Sequence, residues 1–580
     1  MDKKFTGVVA ALLTVCTLTT AYAALSYKQG DSANVRLNTE KTGKGSSSAE
    51  SVYSAYTERF FDPDKVIEIR ISIPEADYQD MLQNPAEEEY KEAQVVINGV
   101  KTKNVGIRTK GNSSLNSVLR SNSDRYSLKI DFDHYIEGQS LSGLTKLNLN
   151  NGWGDASCMR EYLSYSLLKE MDVPVPAYCY ANLYINDHPA GLYLAVEGVE
   201  EAYAERYFGQ DHGTLYKPYG DRGEGNDLVY SDDNIESYSG LQAVTALKEG
   251  SNEALVKMIK ALDEGGNLET YLNIDEILRY FAVNTILVNM DSYQGQFTHN
   301  YYLYEEDGVF SFLPWDYNLS FGGFGGGTAL SIDQPVSGTT LDQRPLLGKL
   351  LEVQAYKDVY HQYMKAFIQG PFALEKMTAK IEKTADLIRP YVTSDPTKFY
   401  TLEQFEQAIG EGSSQEPITD SKTTSRGGFG AGKNMPGSGN LIGLATFIRD
   451  RIDNVSKQLS GELPSSGTTE DAAGENAGGL QPPPTRQGQQ AQWGQRAEQG
   501  LQGIHPDIRQ DQSGMQPPGN MPEGMDYKQK MPGMNWQEAP GQDPNNRWIN
   551  RREDYLIGGA AFVLMILSLA ILKKRNKHSI

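Results

Sequence analysis

The main constraint on this chain is that regular strand and helix patterns fill residues 59–462 and stop there. Residues 463–549 hold 11 of the 26 prolines, with many Gln, Gly and Asn residues and almost no aliphatic periodicity. A segment of this composition cannot bury enough apolar surface to offset the entropy lost on ordering. We therefore predict one folded domain at 59–462, followed by a disordered stalk at 463–549. Residues 24–58, rich in Ser, Thr, Lys and Gly, are predicted to be a linker.

Residues 1–23 have the pattern of a secretory signal peptide. Two lysines come first, an apolar run extends from Val8 to Leu18, and small residues precede an expected cleavage point after Ala23. The alternative interpretation is an uncleaved membrane anchor.

The carboxyl-terminal residues predict membrane attachment. Leu556 to Leu572 form an uncharged apolar run at the short limit for a bilayer span. The basic tail at 573–580 follows directly, and the positive-inside rule places it in the cytoplasm. With the signal peptide, this arrangement predicts a single-pass type I cell-membrane protein whose folded domain is extracellular. A buried core helix is the alternative, but it would not account for the basic tail.

The chain is strongly acidic, with 54 Lys and Arg residues against 75 Asp and Glu residues and a formal net charge of −21. Neutralising phosphates along a nucleic acid needs clustered basic side chains, so this balance argues against a nucleic-acid partner. Three cysteines in 580 residues exclude a disulfide-stabilised scaffold.

Within the folded domain, strand patterns come first and helical patterns dominate after Asp342. Early strands alternate apolar and polar residues, as at 125–132, and Asn-Gly and Asn-Asp pairs mark hairpin turns. A Gly- and Ser-rich insert at about residues 409–440 interrupts the later helices. This order predicts an α+β fold with two lobes.

Two acidic residues follow apolar elements in the middle of the domain. Asp291 ends an apolar helix predicted at 275–290, and its loop leads to Asn300, whereas Asp316 comes directly after an apolar strand. Loops between rigid elements often carry catalytic residues, and a carboxylate can hold a hard cation. Protein kinases use the same order of a base Asp, a metal-binding Asn and a metal-binding Asp. The alternative for each Asp is an ordinary turn residue.

The basic residues of a phosphate site have several candidates. The loop at 106–114 offers Arg108 and Lys110 among small residues, although a plain turn is the simpler interpretation. Lys129 on a predicted strand and Glu161 on the next predicted helix match the Lys–Glu pair that fixes phosphates in kinases.

Lys146 and Lys217 are alternatives for the Lys role. Lys and Glu residues are common on protein surfaces, so neither Lys129 nor Glu161 is decisive alone.

Taken together, these stretches resemble the CotH kinase family, named for the spore coat protein H. The matching stretches are GIRTKGNSS (106–114), YSLKIDF (126–132), KLNLNN (146–151), REYLSY (160–165), YINDHPAGLYLAVE (184–197), GTLYK (213–217), NMDSYQGQFTHNYYLY (289–304) and LPWDYN (313–318). They cover nearly all of the folded domain, and their joint order is more specific than any one of them.

The resemblance implies an atypical protein-kinase-like domain that transfers the γ-phosphoryl group of ATP to Ser or Thr with Mg²⁺ or Mn²⁺. Asp291 then takes the position of the catalytic-loop Asp, Asp316 that of the metal-binding Asp of the D-F-G motif, and Asn300 that of the second metal ligand. Eight residues separate Asp291 from Asn300 instead of the usual four, and W-D-Y replaces D-F-G. The pairing of Lys129 with Glu161 follows from element order alone.

Two classes of function follow. The first is a membrane-tethered Ser/Thr kinase that binds ATP and acts on extracellular or cell-envelope proteins. The second is a non-catalytic surface adhesin or envelope scaffold. The stalk and the acidic charge would suit this class. The resemblance also leaves it open, because fungal relatives of the family act as surface ligands. A third possibility is phosphoryl transfer to a non-protein acceptor such as a wall polymer. The presence of Asp291, Asn300 and Asp316 together favours the enzyme, because a pure binding protein does not need all three.

Overall fold

The structure is a computed structural model that describes residues 55–121, 123–219, 224–324, 327–410 and 442–467. The predicted signal peptide, stalk, transmembrane helix and basic tail lie outside these residues, apart from the first few residues of the stalk. No helix of the described ranges is long and apolar enough to cross a membrane.

Eleven strands form in the described part of the chain. They are β1 (Val66–Ser72), β2 (Lys91–Ile97), β3 (Val100–Lys110), β4 (Ser127–Asp131), β5 (Lys146–Asn150), β6 (Tyr178–Ile185), β7 (His188–Glu197), β8 (Thr214–Pro218), β9 (Leu241–Ala243), β10 (Tyr301–Glu306) and β11 (Val309–Pro314).

Twelve α-helices form in the same residues. They are α1 (Ala55–Phe60), α2 (Glu75–Gln83), α3 (Ser113–Leu119), α4 (Arg160–Glu170), α5 (Glu201–Phe208), α6 (Ser251–Glu264), α7 (Ile274–Ile286), α8 (Pro345–Glu352), α9 (Gln354–Gln369), α10 (Leu374–Ser394), α11 (Leu402–Ile409) and α12 (Leu444–Ser460). Short 3₁₀ turns lie at Pro85–Glu87, Ile235–Tyr238, Leu268–Thr270 and Leu341–Gln343.

The first seven strands close into a barrel in the order β1-β2-β3-β4-β5-β7-β6. The barrel closes where β1 and β6 pair in parallel, from Val66 opposite Tyr180 to Ile71 opposite Ile185. Closure leaves no open sheet edge. The predicted α+β fold with two kinase-like lobes is therefore wrong, although the chain does mix helices with strands. The order of elements along the sequence could not reveal a pairing between strands so far apart.

Side-chain alternation gives the barrel an apolar interior and a polar outer face on β3, β4 and β5. The buried apolar side chains of these strands are Val105, Ile107, Leu128, Ile130, Leu147 and Leu149. The residues between them are Gly106, Arg108, Lys110, Ser127, Lys129, Asp131, Lys146, Asn148 and Asn150. Every basic residue proposed from the early strands therefore lies on one outer surface of the barrel.

The remaining strands form a second sheet in the order β11-β10-β8-β9. Helix α7 is buried along nearly its whole length in the large core that this sheet shares with the later helices. Tyr360 of α9, for example, donates a 3.0 Å hydrogen bond to the hydroxyl of Thr285. The end of α7 at Ile286 and the start of β10 at Tyr301 fix both ends of the loop that carries Asp291.

Candidate active site

Asp291 is held in the loop between α7 and β10 by two neighbours from the same loop. His299 Nε2 lies 2.7 Å from Asp291 Oδ1. Asn300 Nδ2 donates to the backbone carbonyl of Asp291 at 2.8 Å and to its Oδ2 at 3.2 Å. Asn300 adopts the left-handed region at φ 58°, which Asn tolerates better than most residues. The structure therefore brings together Asp291 and Asn300, both of which the sequence had suggested.

A buried polar network fixes the shape of this loop. Asn284 at the end of α7 donates to the carbonyl of Asn289 at 3.2 Å and to the side chains of Ser292 at 3.1 Å and Gln294 at 2.7 Å. Gln294 in turn donates to the hydroxyl of Thr285 at 2.9 Å. A hydrogen-bonded network inside a core favours a single conformation. Sequence reasoning had missed these supporting residues.

Arg344 supports the same loop from the opposite side. Its fully buried guanidinium donates to the backbone carbonyls of Tyr293, at 2.6 Å, and Gly295. The loop around Asp291 is therefore preorganised from both directions.

Asp316 follows β11 in the left-handed region at φ 54°. Its backbone N–H donates to the hydroxyl of Tyr165 at 3.1 Å. Its flanking residues Trp315 and Tyr317 are both buried. In the described part of the chain, no hydrogen bond or close ion pair reaches the Asp316 carboxylate. Among the described residues, the Asp316 carboxylate therefore accepts no hydrogen bond.

The charges around Asp316 show which groups share its surroundings. Burial and the negative charge of Asp291 raise the pKa of the Asp316 carboxyl. The positive charges of Lys110, His299 and Lys217 lower this pKa. The net result is a raised pKa. Asp291 and Asp316, which lie on different elements, are thus close enough to repel each other. Burial lowers the His299 pKa, but the hydrogen bond with Asp291 and the negative charges of Asp291 and Asp316 together raise it more, so that the net direction is upward.

Lys110, at the end of β3, lies near Asp316. Its ammonium donates a 3.0 Å hydrogen bond to Asn150 on β5 and lies 5.9 Å from the ring of Trp315. Burial lowers the Lys110 pKa, whereas the carboxylates of Asp316 and Glu161 act in the opposite direction.

Glu161 does not pair with Lys129. It accepts hydrogen bonds from Asn150, at 2.8 Å, and from Tyr165, at 3.0 Å. Burial and the neighbouring Asp316 raise its pKa to about 7.

Lys129 instead donates a 2.7 Å hydrogen bond to Glu200, and Lys146 forms a 2.6 Å ion pair with the same carboxylate. The predicted Lys129–Glu161 pair is therefore not formed. Glu200 ends the turn between β7 and α5, which brings it over the outer face of β4 and β5, whereas Glu161 lies against Asn150 and Tyr165.

Lys217 on β8 lies among aromatic rings. Its ammonium is 4.8 Å from the ring centre of Tyr219, 5.7 Å from Tyr302 and 5.9 Å from Trp315. Burial, together with the nearby ammonium groups of Lys110 and Lys129, lowers its pKa to about 8. Among the described residues, no carboxylate forms an ion pair with Lys217 within 4.0 Å.

Arg108 points to a different set of partners. Its guanidinium bonds to Glu88 and, at 2.9 Å, to the carbonyl of Thr109. It also lies 5.2 Å from the ring of Tyr90. Its predicted contact with a nucleotide stays a prediction.

The oxygen donors present fit a divalent cation whose coordination shell is completed by other ligands. No group of three or more His, Cys, Asp or Glu side chains in the described residues could hold a metal ion alone. Mg²⁺ commonly takes one or two protein carboxylates together with waters and substrate phosphates. The half-buried Asp316 carboxylate beside Asp291, and the Asn300 amide that bonds to Asp291, provide oxygen ligands of that kind.

Comparison with known proteins places this site in a family. The model of the family described as "CotH kinase protein" matches residues 107–414, more than half of the 580 residues. The chain belongs to the CotH kinase family. The chain is also similar to the inner spore coat protein H of Bacillus subtilis (strain 168), with 26% identity over 285 residues that cover 47% of this chain and 76% of that protein.

The CotH match includes every candidate site residue, from Arg108 to Asp316. The predicted localisation needs correction. We had predicted a single-pass type I cell-membrane protein, but no helix in the described ranges could span a membrane, and the similar protein is a spore coat protein.

Sequence reasoning missed four residues that contact the candidates: Asn150, Tyr165, Glu200 and His299. Two of them carried a signal. Asn150 alternates with the apolar residues Leu147 and Leu149, so it had to point outward beside Lys110. Tyr165 follows Glu161 by four residues, which places both on one face of a helix.

Proposed function

We propose that this CotH family protein is a metal-dependent phosphotransferase that moves the γ-phosphoryl group of ATP to a Ser or Thr hydroxyl of a protein. The observation that supports it is the convergence of opposite charges in one half-buried site. Asp291 and Asp316 come from two loops, and Lys110 and Lys217 come from two sheets, yet Asp291, Lys110 and Lys217 all act on the pKa of the Asp316 carboxyl. A site for a polyanionic nucleotide and a divalent cation needs this mixture of charges.

In this proposal, each residue has a separate task. Asp291, held by His299 and Asn300, orients the acceptor hydroxyl and receives its proton. Asp316 and Asn300 would hold the cation, which would supply positive charge against the phosphates. Lys110 and Lys217 position the phosphate oxygens. Preorganised groups of this kind lower the barrier because they need no rearrangement during the reaction.

We propose a protein acceptor within a coat layer. The support is the name of the relative, an inner spore coat protein. The acceptor hydroxyl would have to reach Asp291, whose side chain is 15% exposed, and His299, whose side chain is 40% exposed. This exposure gives an incoming polypeptide access to the proton-accepting side of the site.

The test uses the purified full chain with radiolabelled ATP and Mg²⁺ or Mn²⁺, beside Asp291→Asn and Asp316→Asn. We expect label on protein with the unmodified chain, and a loss of roughly 100-fold or more in each variant, as found when a preorganised group is removed. Asp386→Asn is the matched control, because Asp386 is an exposed residue of α10 that pairs with Arg389.

Full transfer by both active-site variants would contradict the proposal. So would a folded chain that neither transfers label nor binds ATP, and that result would favour the non-catalytic scaffold.

A further inference from the structure

A continuous chain of hydrogen bonds links Lys110 to the backbone of Asp316. Lys110 donates to Asn150 at 3.0 Å, and Asn150 donates to Glu161 Oε2 at 2.8 Å. Tyr165 donates to Glu161 Oε1 at 3.0 Å and accepts from the Asp316 N–H at 3.1 Å. Three elements are joined in this way: the barrel through β3 and β5, helix α4, and the turn after β11.

The hydroxyl of Tyr165 both donates and accepts a hydrogen bond in this chain. Tyr165 is fully buried, so water cannot replace either bond. Its ring lies 5.5 Å from the ring of Tyr178 and 5.9 Å from that of Tyr317, which fixes the direction of the hydroxyl. Without that hydroxyl, the Asp316 N–H and one Glu161 oxygen would each lose a partner inside the protein.

The conformation of Asp316 explains why the turn needs such a partner. At φ 54°, Asp316 occupies a region that L-residues adopt only at an energetic cost. Such a conformation persists where the surrounding structure determines it. The bond to Tyr165 and the burial of Trp315 and Tyr317 on either side provide that determination.

We infer that Tyr165 is a positioning residue, which fixes the turn that aims the Asp316 carboxylate and couples that turn to Lys110. The inference rests on the proposed function for its consequence in phosphoryl transfer. Its structural part, the fixing of the Asp316 turn, stands independently. Groups that orient a metal ligand from behind commonly change metal affinity or activity by about 10- to 100-fold when they are removed.

The experiment compares the full chain with Tyr165→Phe, which removes only the hydroxyl. Tyr162→Phe is the matched control, since Tyr162 lies on the same helix, is also buried, and bonds to the carbonyl of Pro63 at 2.8 Å. The readouts are Mn²⁺ binding by electron paramagnetic resonance with a non-hydrolysable ATP analogue, hydrogen exchange of the peptide containing Asp316, and the split between kcat and KM.

For Tyr165→Phe, we expect Mn²⁺ affinity to fall by about tenfold or more, faster exchange at Asp316, and a lower kcat. Tyr162→Phe should match the unmodified chain in all three. Unchanged Mn²⁺ affinity and unchanged exchange in a folded Tyr165→Phe variant would overturn the inference.

If Tyr165→Phe does not fold, Asn150→Ala decides the question, because it breaks the chain at a half-buried strand residue. It should weaken Mn²⁺ binding in the same direction, and full affinity in that variant would overturn the inference. A chain that transfers no phosphoryl group would refute the proposed function, whereas the exchange of the Asp316 peptide would still test the role of Tyr165.

Discussion

Lys129 donates a 2.7 Å hydrogen bond to Glu200 rather than to Glu161. Lys146 bonds to the same carboxylate, so two ammonium groups on the barrel surface share one anion. Burial raises the Glu200 pKa, but Lys129 and Lys146 lower it more, and the net direction is downward. Glu200 is therefore ionised at neutral pH, and it leaves Lys110 and Lys217 as the better candidates for phosphate contacts.

Lys110→Met should impair phosphoryl transfer far more than Lys129→Met. Lys110 faces Asp316 and belongs to the hydrogen-bond chain through Asn150, whereas Lys129 is ion-paired with Glu200. We expect kcat/KM to fall by about 100-fold for Lys110→Met and by less than about tenfold for Lys129→Met. Steady-state kinetics with varied ATP measures both. A larger loss in Lys129→Met would return the phosphate role to Lys129.

Local turn chemistry was predictable from the sequence. The hairpin turns at Asn98-Gly99 and Asn186-Asp187 form where expected, and all four residues have positive φ values, from 47° to 82°. This conformation is set by the turn residues themselves and by the strand twist, so no distant contact is needed to specify it.

Helix boundaries and barrel closure were not predictable in the same way. Asp155 has a side chain typical of a helix N-cap, but it accepts hydrogen bonds from Ser157 N and Arg160 N at 2.9 Å in a turn, and α4 begins only at Arg160. Closure depends on the parallel pairing of β1 with β6, which no local pattern encodes.

The candidate active site was also predictable only in part. Asp291 and Asn300 could be placed together because one short loop carries both. The partner of Lys129 could not be chosen, since Glu161 and Glu200 both lie near the barrel and only packing selects between them. Side-chain pairing between elements depends on geometry that the order of the elements does not contain.

Asp395→Ala should strongly destabilise the fold. Arg125 and Asp395 form a 2.8 Å ion pair in which both side chains are almost fully buried, with 4% and 2% exposed. The pair attaches the end of α10 to the barrel, where Asp395 also accepts from Leu192 N at 2.9 Å. Removing one partner leaves a buried charge without compensation, at a cost of about 3–5 kcal/mol.

Urea denaturation gives the free energy of unfolding for this comparison. Asp386→Ala is the control, because the exposed Asp386–Arg389 pair contributes less than about 1 kcal/mol. Equal stability of Asp395→Ala and Asp386→Ala would show that the buried pair is not needed.

Glu276→Gln should stabilise the protein increasingly as the pH rises above 4.5. Burial raises the pKa of the Glu276 carboxyl to about 7, from an ordinary value of 4.5. The folded state therefore binds a proton more tightly than the unfolded state, and stability falls as the pH rises from 4.5 through 7. At about 1.4 kcal/mol for each pH unit between the two pKa values, the penalty above pH 7 reaches about 3 kcal/mol.

We expect Glu276→Gln to raise the urea midpoint at pH 8 and to leave it nearly unchanged near pH 4.5. The exposed Glu382 on α10 supplies the control variant, Glu382→Gln, which should show no such difference between the two pH values. A gain in stability that is equal at both pH values would refute the assignment.

The KM for ATP should rise with pH because Lys217 loses its charge. Burial and the neighbouring ammonium groups of Lys110 and Lys129 lower its pKa to about 8. Between pH 7 and pH 9 the protonated fraction of such a group falls about tenfold, and an anionic nucleotide binds the protonated form. KM should therefore rise by up to about tenfold over this range.

Lys217→Arg keeps a permanent charge and should flatten the profile, whereas Lys217→Met should flatten it at a higher KM. An identical pH dependence in the Met variant would mean that another group is responsible.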